Sequence, residues 1–204
     1  MYHQQIARSI SRYQVNIVIK ILIISDFLVW SANQLLAPIF AIFVTDQIAG
    51  GTIEAAGIAS ALYLVFKSLF EIPVGIYIDR TTSEKDDLWC AVIGTTLTAL
   101  LFFGYSFIHT VNGVYIIQAL LGITSAISFP GWYSIFTRHI DREKAGFEWS
   151  VYDVFLGLGM AAAAALSGFF ADRFGFSSLF ILLGIFTLLG SFMLIMIKNK
   201  IYTK

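Results

Sequence analysis

Six runs of mostly apolar residues, each about 20 or more long, occupy most of this chain of 204 residues. They lie at Val15–Val44, Ala55–Ile78, Leu88–Ile108, Val114–Phe136, Trp149–Ala171 and Leu179–Ile197. A helix needs about 20 apolar residues to cross a hydrocarbon layer about 30 Å thick. A strand of an outer-membrane barrel alternates over about 10 residues, whereas these runs are twice as long and apolar on every side. The pattern therefore predicts an all-α membrane protein with six transmembrane helices. The intervening segments carry turn and charge signals, as in Asp46–Gly51, Asp79–Asp87, His109–Gly113, Arg138–Glu148 and Asp172–Ser178. Only 13% of residues are charged, about half the share that coats a soluble domain. The first run is too long for a signal-peptide core and contains Asp26, Asn33 and Gln34, so the N-terminus is expected to be retained.

The charges that remain are informative by position. Lys and Arg number 13, as do Asp and Glu, so no net field steers the chain toward nucleic acid. Eleven of the 13 cations fall on one side of the predicted spans: Arg8, Arg12, Lys20, Arg80, Lys85, Arg138, Arg142, Lys144, Lys198, Lys200 and Lys204. Arg173 falls on the other side, and Lys67 lies within a span. Cations collect on the cytoplasmic side, which places both termini there. Trp89 and Trp149 near span ends fit an interfacial aromatic belt.

A single cysteine, Cys90, excludes an internal disulfide framework and a Cys-rich metal site. The sequence has no H-E-x-x-H, no G-x-S-x-G and no Walker-type phosphate loop. His3, His109 and His139 fall in tails or loops. No enzyme, no cofactor and no nucleic-acid partner is expected.

Two segments repeat. Gly75-Ile-Tyr-Ile-Asp79-Arg80 ends the second span, and Gly168-Phe-Phe-Ala-Asp172-Arg173 ends the fifth, 93 positions later. This spacing divides a single domain, 1–204, into two three-helix repeats, 1–109 and 110–204, of inverted topology. Such repeats are common in secondary transporters, with the substrate site near the bilayer midplane. An interfacial Asp-Arg pair at a helix end is the plainer explanation, and both stay open.

At these residues the chain resembles the major facilitator superfamily. That family's signature between helices two and three is G-x-x-x-D-R-x-G-R-[RK]. Here its first half stands as Gly75 to Arg80, while Thr81-Thr82-Ser83-Glu84-Lys85 lacks the second glycine and the basic pair. The segment Gly168–Phe180 resembles the joint between helices five and six of the family. Gln118-Ala-Leu-Leu-Gly122 resembles its R-x-x-x-G motif with Gln118 in place of the arginine, so a proton-coupling role for that arginine has no residue here. The resemblance implies a half bundle of the family's fold, in a multi-pass protein of the cell membrane. It also implies a secondary transporter that moves a small solute by alternating access. Family members typically hold two six-helix halves in about 400 residues, so this chain looks like a stand-alone half. A lone half would turn its polar cavity face to lipid, where each unsatisfied group costs several kcal/mol. A homodimer about an axis normal to the membrane is expected, with a separate partner half as the rival. Two other classes remain in play: a six-helix capture subunit of a multi-component transporter, and a non-transporting scaffold or sensor.

Four ionisable residues fall within spans, Asp26, Lys67, Glu71 and Asp153. Each costs about 2.5–3.5 kcal/mol to insert and is a functional candidate. Lys67 and Glu71 are four apart and stack on one helix face, with Tyr63 and Gly75 extending the stripe to Asp79. They are either a cavity-lining pair or a self-neutralising ion pair. Asp26 shares a face with Trp30, Asn33 and Ala37. It is either a proton carrier or a carboxylate paired with Lys67 or with a hydroxyl. The expected solute and ion pathway is Asp26, Trp30, Asn33, Lys67, Glu71 and Gln118. By resemblance, Gly75, Asp79 and Arg80 belong to a cytoplasmic gate, with Asp153 within reach of Arg80 or of a cytoplasmic helix end; the alternative for Asp79 and Arg80 is simple interfacial anchoring. Ala161–Ala165 with Gly157, Gly159 and Gly168 forms a small-residue face for close helix contact. Phe129-Pro130-Gly131-Trp132 is expected to bend the fourth span.

Overall fold

The computed structural model describes residues 14–81 and 83–202. Of the positions used above, His3, Arg8, Arg12, Thr82 and Lys204 lie outside the described residues. Helix α1, Ile17–Leu36, begins where the Asn16 side chain accepts the Val18 N–H at 2.9 Å. Pro38 sits in a tight turn, Ala37–Ile39, that passes the chain into α2, Phe40–Gln47. Helix α3, Ile53–Arg80, is capped by Thr52; α4, Glu84–Tyr105, by Ser83; and α5, Val111–His139, by Thr110. In each case a hydroxyl takes up one of the N–H groups that a helix start leaves unpaired. Pro130 is accommodated inside α5 without breaking it. Helix α6 spans Ala145–Met196, and α7, Lys198–Tyr202, ends the described chain. Among the described residues, five segments are long and apolar enough to cross a membrane: Ile17–Gln47, Ile53–Arg80, Glu84–Tyr105, Val111–His139 and Ala145–Ile201.

The last of these is not one rod. Gly175 has φ 78° and ψ 163°, a region open essentially to glycine alone. The side chains facing α1 show the consequence. Phe27 meets the ring of Phe155 and the backbone at Gly159, while Ser25 donates to the Gly190 carbonyl at 2.9 Å. A straight helix would carry residues 159 and 190 about 46 Å apart. Both instead touch the same two turns of α1, so the chain doubles back at Gly175. The two arms, 145–174 and 176–196, run antiparallel.

The helix pairings form an arc. Helix α3 packs on α5, α5 on α4, α4 on the second arm of α6, that arm on α1, and α1 on the first arm. Glycine sets the closest of these approaches. A methyl group at Gly122 would lie 2.4 Å from the Tyr63 carbonyl oxygen and 2.9 Å from the Lys67 nitrogen. At Gly94 it would meet the Ser128 nitrogen at 2.6 Å, and at Gly131 the Asp87 carbonyl at 2.3 Å. Helix α5 is thus held backbone to backbone against both neighbours.

At one end of the bundle Phe43 meets Tyr105 and Phe180 at 5.7 and 4.8 Å between ring centroids. At the other, Phe136 meets Trp132, Trp149 and Tyr152 at 5.0, 4.5 and 5.5 Å. This second end also carries Arg80, Lys85, Arg138, Arg142, Lys144 and Lys198, and is called the cationic end below. The two ends of the arc are poorly covered. In α3 only Ala55, Ala56, Ala59 and Ile78 are buried. On the first arm of α6, Asp153, Val154, Phe155, Gly157, Leu158, Ala161, Ala162 and Ala165 are exposed.

Candidate functional site

The concave side of the arc holds a cavity at the level of the helix midpoints. Its inner chamber, about 60 Å³, is walled by Asp26, Trp30 and Asn33 from α1 and by Tyr63 and Lys67 from α3. Thr95 and Thr98 from α4, and Ser125, Ser128, Phe129 and Trp132 from α5, complete it. A groove of about 350 Å³ adjoins it through shared walls at Trp30, Asn33, Tyr63, Thr98 and Ser125. The groove extends away from the cationic end, past Ala37, Phe40, Ser60, Phe102 and Gln118. A cavity of this size suits a small molecule.

The polar groups in this wall are arranged in a consistent way. Asn33 Nδ2 donates to the Val29 carbonyl at 2.8 Å, Thr98 Oγ1 to the Gly94 carbonyl at 2.9 Å, and Ser128 Oγ to the Ser125 carbonyl at 3.2 Å. Asn33 and Ser128 therefore use their donors on their own helices, as polar side chains in membrane helices do, and leave oxygen lone pairs for the cavity, whereas Thr98 Oγ1 also lies 2.8 Å from Thr124 Oγ1 and is shared with that hydroxyl. Tyr63 Oη lies 3.3 Å from Ser125 Oγ. Asp26 is buried, and its Oδ2 accepts the Tyr152 hydroxyl at 2.9 Å across from the first arm of α6. Lys67 Nζ stands 5.0 Å from the centroid of the Phe129 ring and makes no ion pair among the described residues.

The structure thus brings together Asp26, Trp30, Asn33, Lys67 and Gln118 out of the expected pathway. Glu71, half-buried, lies off the cavity wall and is not joined to Lys67. Asp26 is held by the Tyr152 hydroxyl, with the Trp30 side chain as a second hydrogen-bond partner, and not by Lys67. The wall residues that sequence reasoning passed over are Thr95, Thr98, Ser125, Ser128, Trp132 and, behind Asp26, Tyr152. A signal for them existed, because Ser125, Ser128 and Trp132 recur at helical spacing on one face of α5.

Of the expected gate, Gly75 is half-buried, while Asp79, Arg80 and Asp153 are exposed. Arg80 and Asp153 form no ion pair with each other among the described residues. The charges that do pair at the cationic end are others. Asp87, fully buried, accepts the Ser134 hydroxyl at 2.8 Å and faces Arg138 at 3.3 Å. His139 Nε2 lies 3.7 Å from Glu84, with Nδ1 on the Ile135 carbonyl at 3.0 Å. Glu148, also fully buried, accepts the Asp141 N–H at 3.0 Å and faces Lys144, which in turn reaches the Gln14 carbonyl at 2.5 Å. These contacts clamp the start of α4 to the end of α5 and close the 140–148 turn.

A broken-rod helix pattern, an arc open on one side and a polar chamber at mid-span are what a sequence comparison now places in context. Residues 22–201 match the family described as the Major Facilitator Superfamily. The chain belongs to that superfamily. It is a multi-pass protein of the cell membrane and a transporter by family. Comparison with curated proteins and with solved structures returned no match.

Proposed function

We propose that this superfamily member moves a small solute across the cell membrane by alternating access, as a homodimer of six-helix units with both termini cytoplasmic. The observation that carries the proposal is the mid-span chamber opening on the uncovered side of the arc. A polar wall there is tolerable in lipid only when another protein surface or water covers it. The two arms of α6 count as separate crossings in this proposal, because each is long enough and Gly175 reverses the chain between them. The six crossings then fall into two inverted three-helix repeats, 1–109 and 110–204. A second copy supplies the missing wall. The stripe of Gly157, Ala161 and Ala165 on the first arm of α6, exposed and recurring at helical spacing, suits close contact with another helix. Asp79, Arg80 and Asp153, all exposed, serve as gate contacts between units. Asp26, the acid nearest the chamber, is the proposed coupling group for a proton.

Reconstitution into proteoliposomes tests this proposal. Uptake of solute under an imposed proton gradient, with a native mass of two chains, is the expected result. Asp26→Asn is expected to abolish gradient-driven accumulation while leaving solute counterflow intact. A strict monomer in nanodiscs, or unchanged accumulation by Asp26→Asn, overturns the corresponding element.

A further inference from the structure

We propose that the solute held in this chamber is a small hydroxylated organic anion, with its carboxylate on Lys67. The inference rests on the transporter reading above and names the substrate class of the same site. Lys67 lies near the middle of α3, so its ammonium stands at mid-membrane depth. An ammonium has three N–H donors and no acceptor. Here its one described neighbour of note is the face of Phe129. A ring face attracts the charge but supplies no oxygen for the N–H groups. Lys67 is half-buried and faces no carboxylate among the described residues. A charge at mid-membrane depth is otherwise paired or turned to a water-filled cavity, so this ammonium is open to an acceptor from a ligand.

The acid across the chamber does not play that part. Asp26 already holds the Tyr152 hydroxyl, is buried, and forms no ion pair with Lys67. The close approach of α3 to α5 at Gly122 fixes the Lys67 backbone against α5, which leaves the side chain to run along the chamber wall. The remaining wall is the complement of a hydroxylated body. Asn33 and Ser128 spend their donors on backbone carbonyls and keep oxygen lone pairs at the chamber wall. A ligand that fits donates hydrogen bonds to these oxygens from its hydroxyls and accepts from Lys67 through its charged end. Trp30 and Trp132 supply ring surface for the carbon skeleton, and the Trp132 Nε1–H, buried with no hydrogen-bond partner among the described residues, is a second donor for an oxygen of the ligand.

The test uses the full chain in lipid nanodiscs and two matched pairs of probes: lactate against 1,2-propanediol, and gluconate against glucose. Binding is read as thermal stabilisation and as a change in tryptophan fluorescence. The expected result is saturable stabilisation by at least one anion, no effect of its neutral counterpart, and weakening by about 30-fold or more in Lys67→Gln. Lys67→Arg is expected to keep the preference for the anion. A second readout does not need the right solute. In a Trp89→Phe, Trp149→Phe background the remaining Trp30 and Trp132 report the chamber. Iodide is expected to quench them more strongly than caesium, and Lys67→Gln to remove the difference.

Neutral probes binding as well as anions, or caesium quenching as strongly as iodide in the parent background, overturns the proposal. A structural lysine gives a different signature: Lys67→Gln then lowers the melting temperature of the free protein and leaves the iodide preference in place, which also overturns it. Because neither readout requires transport, a chain that binds the anion and moves nothing overturns the transporter reading alone.

Discussion

Substituting Gly122 with alanine tests the packing that holds the chamber together. The added methyl carbon would lie 2.4 Å from the Tyr63 carbonyl oxygen and 2.9 Å from the Lys67 nitrogen, where ordinary contact starts at 3.4 Å. Both neighbours are backbone, so no side chain can rotate away; α3 and α5 must part by about 1 Å. Forcing an extra methyl into a packed site costs about 1–3 kcal/mol. Alanine recovers up to about 1 kcal/mol of helix propensity over glycine, which leaves a net loss of up to about 2 kcal/mol. At roughly 2–4 °C per kcal/mol for a chain of this size, the melting temperature falls by up to about 8 °C. Intrinsic tryptophan fluorescence during a thermal ramp in detergent measures it. Gly104→Ala is the control: its methyl would meet only the Ile117 Cδ1 at 3.6 Å, so the melting temperature stays level or rises. If Gly122→Ala stabilises as much as Gly104→Ala, α3 and α5 are not in backbone contact, and the placement of Lys67 over the chamber loses its basis.

Gly175→Ala forces φ 78° on a residue with a Cβ; the strain is about 1–3 kcal/mol, and a correspondingly lower melting temperature in the same ramp is expected. Asp87→Ala strands Arg138 and Ser134 at the cationic end. It is expected to cost about 2–4 kcal/mol, whereas Asp87→Asn keeps an oxygen for the Ser134 hydroxyl and is expected to lose less than half as much; thermal unfolding of the pair decides it. Ala161→Leu places a bulky chain on the exposed small-residue stripe, and native mass spectrometry is expected to show a shift from dimer to monomer with the melting temperature of the single unit unchanged.

Length and apolarity made the spans legible, because a hydrocarbon layer constrains a helix by a one-dimensional quantity that sequence records directly. The doubling back at Gly175 was also within reach, since the turn signals Asp172–Ser178 sit between two apolar runs. The chamber was only half legible. Charged residues in a span announce themselves by their insertion cost, which is why Asp26 and Lys67 stood out. Threonine and serine carry little such cost and satisfy themselves on their own helix, so Thr98 and Ser128 look like filler until two helices set them face to face. The partner of Asp26 depended on how the first arm of α6 packs on α1, which places Tyr152 opposite an acid 126 positions away. Asp87 and Glu148 failed to stand out for the converse reason. In a line of residues they are ordinary acids beside helix starts, and only the arrival of Ser134, Arg138 and the 140–148 turn buries them.

The distribution of tied and untied charges bears on how such a unit moves in the proposed cycle. Asp87 with Arg138 and Glu84 with His139 join α4 to α5 at the cationic end, and Gly94, Gly122 and Gly131 bring α5 into backbone contact with α4 and α3. At the opposite end Phe43 packs on Tyr105 and Phe180, which links α2, α4 and the second arm of α6. Each link is short and made by groups that cannot slide past one another without losing contact. A hinge inside the unit would break several of them at once. Asp79, Arg80 and Asp153, by contrast, are exposed and join no other described charge in an ion pair. In the proposed dimer, contacts across to a second unit would therefore form and break without disturbing the fold that presents them. Exposure of the chamber to one side and then the other follows most cheaply from rocking of whole units, with the strain placed between copies rather than within them.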